Sequence, residues 1–351
     1  MSEFDDDSRR RTDKLFGPDD NSAPSTATMS GPGTMTGVKH SSGRIRPGDA
    51  IFSGMARGSA LFVTAVIGAI GVFLLWQALP ALRANEVNFL TSREWSTFNP
   101  ERLAFGVLDL FAVTVFVSGF ALLLAMPVAL GIAIFITQYA PKHLKKSLGY
   151  LVDLLAAVPS VVYGLWGLLV LAPTLSPVAG FLHEHLGWFF LFSADNQGMV
   201  EAGFTIFTAG IVLAVMILPI ITAITREVFA QTPTAQIEAA LALGATKWEV
   251  VRTTVIPFGK SGYVSGSMLG LGRALGETMA IFIVLATASA NFRASLFEGG
   301  QTIASKIASG YAEINTDLQA GAFIAAGLVL FLLTFVVNAI ARSIVAGKGV
   351  H

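Results

Sequence analysis

Stretches of apolar residues long enough to cross a bilayer recur along this chain, and no other feature constrains its fold as tightly. A helix needs about 20 such residues to span a hydrocarbon core. Six segments reach that length, at residues 59–82, 107–137, 150–172, 203–225, 263–288 and 320–341, each bounded by polar or charged residues. Inside lipid a single segment can satisfy its own backbone N–H and C=O groups only as a helix. The predicted fold is therefore an all-α integral membrane bundle of six transmembrane helices. Composition agrees, with 53% hydrophobic and 13% charged residues. Pro127 inside the long second segment predicts a tilt, a kink or an extension out of the bilayer there. The stretch FLHEHLGWFFLF at 181–192 is too short to span and is expected to be an interfacial or re-entrant piece, with Trp188 and its Phe neighbours at headgroup level.

Other function classes fall away on charge and residue usage. The 23 basic and 23 acidic residues cancel, which speaks against a nucleic-acid partner. With no cysteine, disulfides, zinc–thiolate sites and thiol nucleophiles are excluded. Residues 1–57 are rich in Ser, Thr, Gly, Pro and charge, so they read as a disordered cytoplasmic tail before a membrane domain at 58–351. No cleavable leader is expected, because the first apolar run starts near Ser59 and is longer than a signal sequence core. Lys and Arg set the orientation. With the N-terminus inside, thirteen of them near the spans fall on the cytoplasmic side, among them Lys142, Lys145, Lys146, Arg226, Lys247, Arg252 and Lys260. Five fall outside: Arg83, Arg93, Arg102, Arg293 and Lys306. Both termini and the loop at 226–262 are thus predicted to be cytoplasmic.

That loop carries the densest local signals. In TPTAQIEAALALGATKWEVVRTTVIPFG, Thr232 is expected to cap a short helix with Pro233 at its first position, and Gly244 to end it. Thr246 and Glu249 have capping-box spacing for a second helix, which Pro257 is expected to close. Ile237, Ala240, Leu241, Trp248 and Val251 would leave apolar surface in the cytoplasm unless a partner, or the bundle's own base, covers it.

The fifth segment contains GRALGETMA, and a charge at bilayer depth costs about 2.5 to 3.5 kcal/mol on insertion scales. Four residues apart on one helix, Arg273 and Glu277 can pair, which makes both tolerable. In VPSVVYGLWG the break at Pro159 frees backbone groups that face protein or a water-filled cavity, so Ser160 and Tyr163 can donate to an oxyanion there or serve packing alone. Asp109, Asp153 and Glu201 sit near the ends of their segments and read as boundary residues. The chain lacks a nucleotide site of its own: GKS at 259–261 has Thr254 where a P-loop needs glycine. His183 and His185, two residues apart, do not share a helix face, so no metal site is expected. Nothing resembles a catalytic triad or paired catalytic carboxylates, so the chain is predicted not to be an enzyme.

EAALALGATKWEVVRTTVIP resembles the EAA loop of permease subunits of bacterial ABC importers, with Glu238, Ala239, Ala240, Gly244 and Pro257 on its pattern and Thr254 and Ile256 departing from it. LLAAVPSVVYGLWGLLVLAP and GLGRALGETMAIFIVLA are similar to the phosphate-importer permeases of the PstC type, while the sister PstA type has Ala-Pro where Met279 and Ala280 stand. The likeness covers residues 59–343. It implies the type I importer permease fold in the bacterial cytoplasmic membrane, and an ATP-driven import of inorganic phosphate. It implies as partners a PstA-type permease, two PstB-type ATPase subunits that bind the ATP and magnesium, and a PstS-type extracytoplasmic binding protein. It also implies a transport role for Arg273 and Glu277 and coupling to the ATPase through Glu238, Ala239, Ala240, Gly244 and Pro257. A permease for sulfate or molybdate, or a membrane scaffold or sensor without transport, is the alternative reading.

Overall fold

The computed structural model describes residues 47–97, 102–285 and 292–346. The chain divides into residues 1–59 and 60–351, and the packing below is that of the second unit. The predicted tail lies, up to residue 46, outside the described residues. Helix α1 (Pro47–Ala84) leads to a two-residue antiparallel ladder in which β1 (Trp95–Ser96) pairs Trp95 with Phe105 of β2 (Ala104–Phe105). Then come α2 (Leu108–Ile134), α3 (Lys142–Ala156), α4 (Ser160–Trp166), α5 (Ala172–Leu186), α6 (Gln197–Ala202) and α7 (Ile206–Ala230). The chain continues through α8 (Thr234–Ala242), α9 (Lys247–Val250), α10 (Ile256–Leu275), α11 (Met279–Val284), α12 (Ile303–Gly310) and α13 (Asp317–Ala346). Apart from the small ladder, the described residues are helical or loop.

Five helical stretches are long and apolar enough to cross a membrane: Ile51–Ala84, Leu108–Tyr139, Ser160–Leu186, Gln197–Ala230 and Asp317–Ser343. Three expectations are corrected. The third stretch begins at Ser160, ten residues later than expected, because Pro159 holds an extended backbone (ψ 140°) and splits α3 off as a separate helix. It then runs to Leu186, so half of the segment expected at the interface is the end of a long helix. The fifth expected segment is not one helix. Its described part breaks at Gly276–Thr278, between α10 and α11, and residues 286–288 lie outside the described residues.

Prolines act in more than one way in this bundle: Pro159 ends a helix, while Pro173 and Pro257 are carried inside continuous helix by widened turns. Five-residue π turns at Phe135–Tyr139, Gly167–Leu171 and Val251–Val255 each lie just before a proline, Pro141, Pro173 or Pro257. A proline ring clashes with the carbonyl four residues back and leaves it without a donor. A wider turn moves that carbonyl aside, and here the Ile256 N–H donates to Val251 O, five residues back. Pro257 accordingly does not close the second helix of the 226–262 loop. Helical backbone is continuous from Lys247 to Leu275, about 40 Å at 1.5 Å per residue.

Helix α7 packs against α2, α10 and α3. Val113 and Val117 of α2, Leu213, Ile217 and Ile221 of α7, Ala274 of α10 and Ile281 of α11 share the main buried cluster. A smaller cluster joins Ala78 and Ala81 of α1 to Leu103, Phe105, Ala322 and Ala325. The many alanines fit a bundle in which close backbone approach replaces the hydrophobic effect as the source of cohesion.

Candidate functional site

Two places carry chemistry. The first is the elbow of α8 and α9. Pro233 is the N-cap of α8, and Thr232 instead donates its hydroxyl to Phe229 O at 2.9 Å, closing the end of α7. The expected cap is therefore one residue out, because a threonine followed by proline is used here as a stop. Gly244 has φ +87°, the left-handed turn that glycine adopts without cost. Thr246 and Glu249 form the full capping box: the Thr246 N–H donates to the Glu249 carboxylate at 2.7 Å, and the Glu249 N–H donates to the Thr246 hydroxyl at 3.3 Å. The Thr246 backbone N–H first, and its hydroxyl second, hold the Glu249 carboxyl below the usual range. Glu238 and Ala239 are exposed and Ala240 is half-buried.

The apolar residues of the elbow sort differently than expected. Leu241 and Trp248 are exposed, while Val251 is sealed beside Ala133, Ile134, Phe229 and Val255 at the end of α2. Val251 thus belongs to the bundle's own base. The residue missed in the sequence is Leu243, 90% exposed at the tip. Its signal was its place directly before the turn glycine, where a helix has already lost its inward face.

The second place is the break between α10 and α11. Arg273 lies in the last turn of α10, half-buried, and Glu277 is buried one residue past Gly276, at the helix end. No ion pair joins them. Spacing of four brings side chains together only while the helix lasts, and it stops at Leu275. Each charge meets a helix end instead. Arg273 lies in the last turn of α10, where positive charge is favoured. Glu277 Oε1 accepts the Ala280 N–H at 3.1 Å, in the first turn of α11. Among the described residues, no carboxylate forms an ion pair with this guanidinium.

Helix α4 comes against this break. A Cβ on Gly164 would lie 2.9 Å from Ala280 Cα, so the crossing of α4 on α11 requires glycine. Tyr163, on the preceding position, shares the main buried cluster with Ala274 of α10 and Ala280 of α11. Its hydroxyl donates to Leu155 O at 2.9 Å. That commits its one proton to the α3 backbone and removes it as a donor to a passing oxyanion. Ser160 opens α4 one turn earlier and is half-buried. Of the four intramembrane candidates, Arg273, Glu277 and Tyr163 are therefore gathered around one break in the helices, with Ser160 at the near end of the same short helix.

Three boundary acids divide. Asp109 pairs with Arg93 at 3.6 Å and accepts the Phe292 N–H. Asp153 pairs with Arg226 at 3.2 Å. Glu201 is exposed, and its backbone carbonyl accepts the Ser176 hydroxyl.

Residues 125–348 match the family described as the inner membrane component of binding-protein-dependent transport systems. The phosphate transport system permease protein PstC 2 of Mycobacterium tuberculosis is 57% identical over 303 residues, covering 86% of this chain and 93% of that protein. The phosphate transport system permease protein PstC of Mycobacterium leprae is 59% identical over 277 residues, covering 79% and 86%. Among solved structures, a chain of a bacterial alginate ABC transporter in complex with its alginate pentasaccharide-bound periplasmic protein superposes with a TM-score of 0.51 at 16% identity, covering 83% of this chain and 95% of that one. That likeness concerns the fold alone.

Proposed function

The chain belongs to the family of inner membrane components of binding-protein-dependent transport systems, and from that membership we propose how it works: as the permease subunit of an ATP-driven phosphate importer, forming half of the translocation path. Relatives named as phosphate permeases at 57% and 59% identity favour phosphate over sulfate or molybdate, and transport over a scaffold. The permease carries no hydrolytic chemistry of its own. ATP and magnesium belong to two PstB-type ATPase subunits, the other half of the path to a PstA-type permease, and delivery of phosphate to a PstS-type receptor.

In this reading the protein crosses the bacterial cytoplasmic membrane six times with both termini inside. The crossing added to the five long helices is the broken helix α10–α11, fifth in chain order. Irregular backbone at membrane depth is tolerated where it lines a water-filled cavity, so a break there supports a place on the path. Phosphate in a low-dielectric passage needs positive potential and N–H donors, and the Arg273 fork offers both. Glu277, engaged by the first turn of α11, limits how tightly the anion is held, because conduction requires release.

One observation carries the mechanism: the unbroken helix from Lys247 to Leu275. Its near end is the elbow of α8 and α9, which presents Leu241, Leu243 and Trp248 to the ATPase. Its far end bears Arg273. A closing ATPase dimer that moves the elbow therefore moves the guanidinium as part of the same rod, and the gate rocks about the packed base at Phe229, Val251 and Val255. The test is reconstitution with the ATPase pair and a phosphate-loaded receptor. ATP hydrolysis stimulated by that receptor, with uptake lost in Gly244→Val, is the expected result. Failure of any ATPase to co-purify, or full uptake in Gly244→Val, contradicts it.

A further inference from the structure

The rod is one route from the elbow to Arg273, and a second runs through α3 and α4. We propose that the Asp153–Arg226 ion pair is a strut that carries motion of the elbow's root into α3 and α4; this rests on the reading of residues 226–262 as the ATPase-coupling loop. Asp153 and Arg226 are positioning residues here and do not touch the anion.

The geometry is contiguous from end to end. Arg226 stands one turn before the end of α7, and its Nη2 donates to both carboxylate oxygens of Asp153, at 3.2 and 3.3 Å. One turn back from Asp153 on α3 is Gly149, where a Cβ would overlap Arg226 Nη1. Glycine inside a helix is unfavourable, and at this position it opens the notch that lets the guanidinium lie against the backbone of α3. One turn beyond Arg226, Phe229 is sealed among Val251, Val255, Ala133 and Ile134. The arginine is therefore built into the same base as the rod.

At its other end α3 meets the bend at Pro159. The Tyr163 hydroxyl crosses that bend to Leu155 O, so α3 and α4 turn together. Tyr163 also shares the main buried cluster with Ala274, the neighbour of Arg273, and Gly164 beside it lies against α11. The elbow's root, Arg226, Asp153, Leu155, Tyr163 and the α10–α11 break thus form one mechanical chain. The pair's value to stability is small, because Asp153 is half exposed. Its geometric role is to keep α3 from lagging when α7 moves.

Coupling between two residues is demonstrated by a double-mutant cycle. In the reconstituted complex the readout is phosphate taken up per ATP hydrolysed, for Asp153→Arg, Arg226→Asp and the charge swap that combines them. Each single change is expected to cut that ratio about two- to fivefold, the range over which a partly exposed pair biases an equilibrium, and the swap to recover most of it. Gly149→Ala keeps both charges while displacing the guanidinium, and the same loss is expected. Wild-type ratios in the single variants, or losses that add in the swap, overturn the strut. If the charge-reversed proteins do not assemble, Gly149→Ala decides alone, and an unchanged ratio refutes the proposal. Leu243→Ala separates this from the coupling-loop reading. Weaker ATPase docking in Leu243→Ala beside a normal ratio in Gly149→Ala removes the strut and keeps the loop, whereas unchanged docking in Leu243→Ala removes the loop reading and the strut with it.

Discussion

Replacing Leu243 by alanine should weaken the hold of the ATPase on this subunit without disturbing the subunit itself. Leu243 is 90% exposed at the tip of the elbow, next to a glycine whose Cβ position meets nothing within 4 Å. Truncation therefore opens no cavity and breaks no internal contact. If docking buries the side chain, the loss from leucine to alanine is close to three methylene-sized groups at about 0.8 kcal/mol each, or about 2 kcal/mol after incomplete burial. At 1.4 kcal/mol per factor of ten, that is about a thirtyfold weaker dissociation constant. The assay is titration of the purified ATPase onto the solubilised permease pair, with thermal unfolding of the permease as the control. Unchanged affinity with unchanged unfolding would refute the argument, because a leucine so exposed has no other partner to lose.

Further outcomes follow from the same geometry. Gly164→Val should force α4 away from α11, costing about 1 to 3 kcal/mol in unfolding experiments and reducing uptake, whereas the same change at the open position Gly119 should be tolerated. Glu249 has a folded-state carboxyl held down by its bonds to Thr246, so the support it gives the elbow is present above the ordinary glutamate value and disappears as pH falls through the lower folded value. Hydrogen exchange of the amides at 246–249 should accelerate as pH is taken from neutral to about 3, after correction for intrinsic rates, and Glu249→Gln should flatten that dependence.

Much of the fold is legible in one sequence because lipid leaves a chain few choices. Hydropathy alone locates the helices at Leu108–Tyr139 and Asp317–Ser343 to within a few residues of the segments predicted. The elbow is legible for a different reason: Gly244 and the Thr246 and Glu249 pair are local signals whose partners lie within three residues. What escapes is whatever depends on distant chain. Pro257 reads as a helix stop unless the π turn before it is known, and that turn is held by packing of Val251 and Val255 against α2 and Phe229. Pairing of Arg273 with Glu277 follows from spacing only if the helix continues, and its end at Leu275 leaves both charges at helix termini instead. Asp153 and Arg226 are 73 residues apart, and nothing near either one announces the other.

The most direct test of the central claim is phosphate uptake by a reconstituted complex carrying Arg273→Gln. Glutamine keeps the helix and a hydrogen-bonding end but removes the charge, so assembly and receptor-stimulated ATP hydrolysis should persist while uptake disappears. Phosphate flux at the wild-type rate through that variant would mean that the guanidinium at the end of the rod has no part in moving the anion.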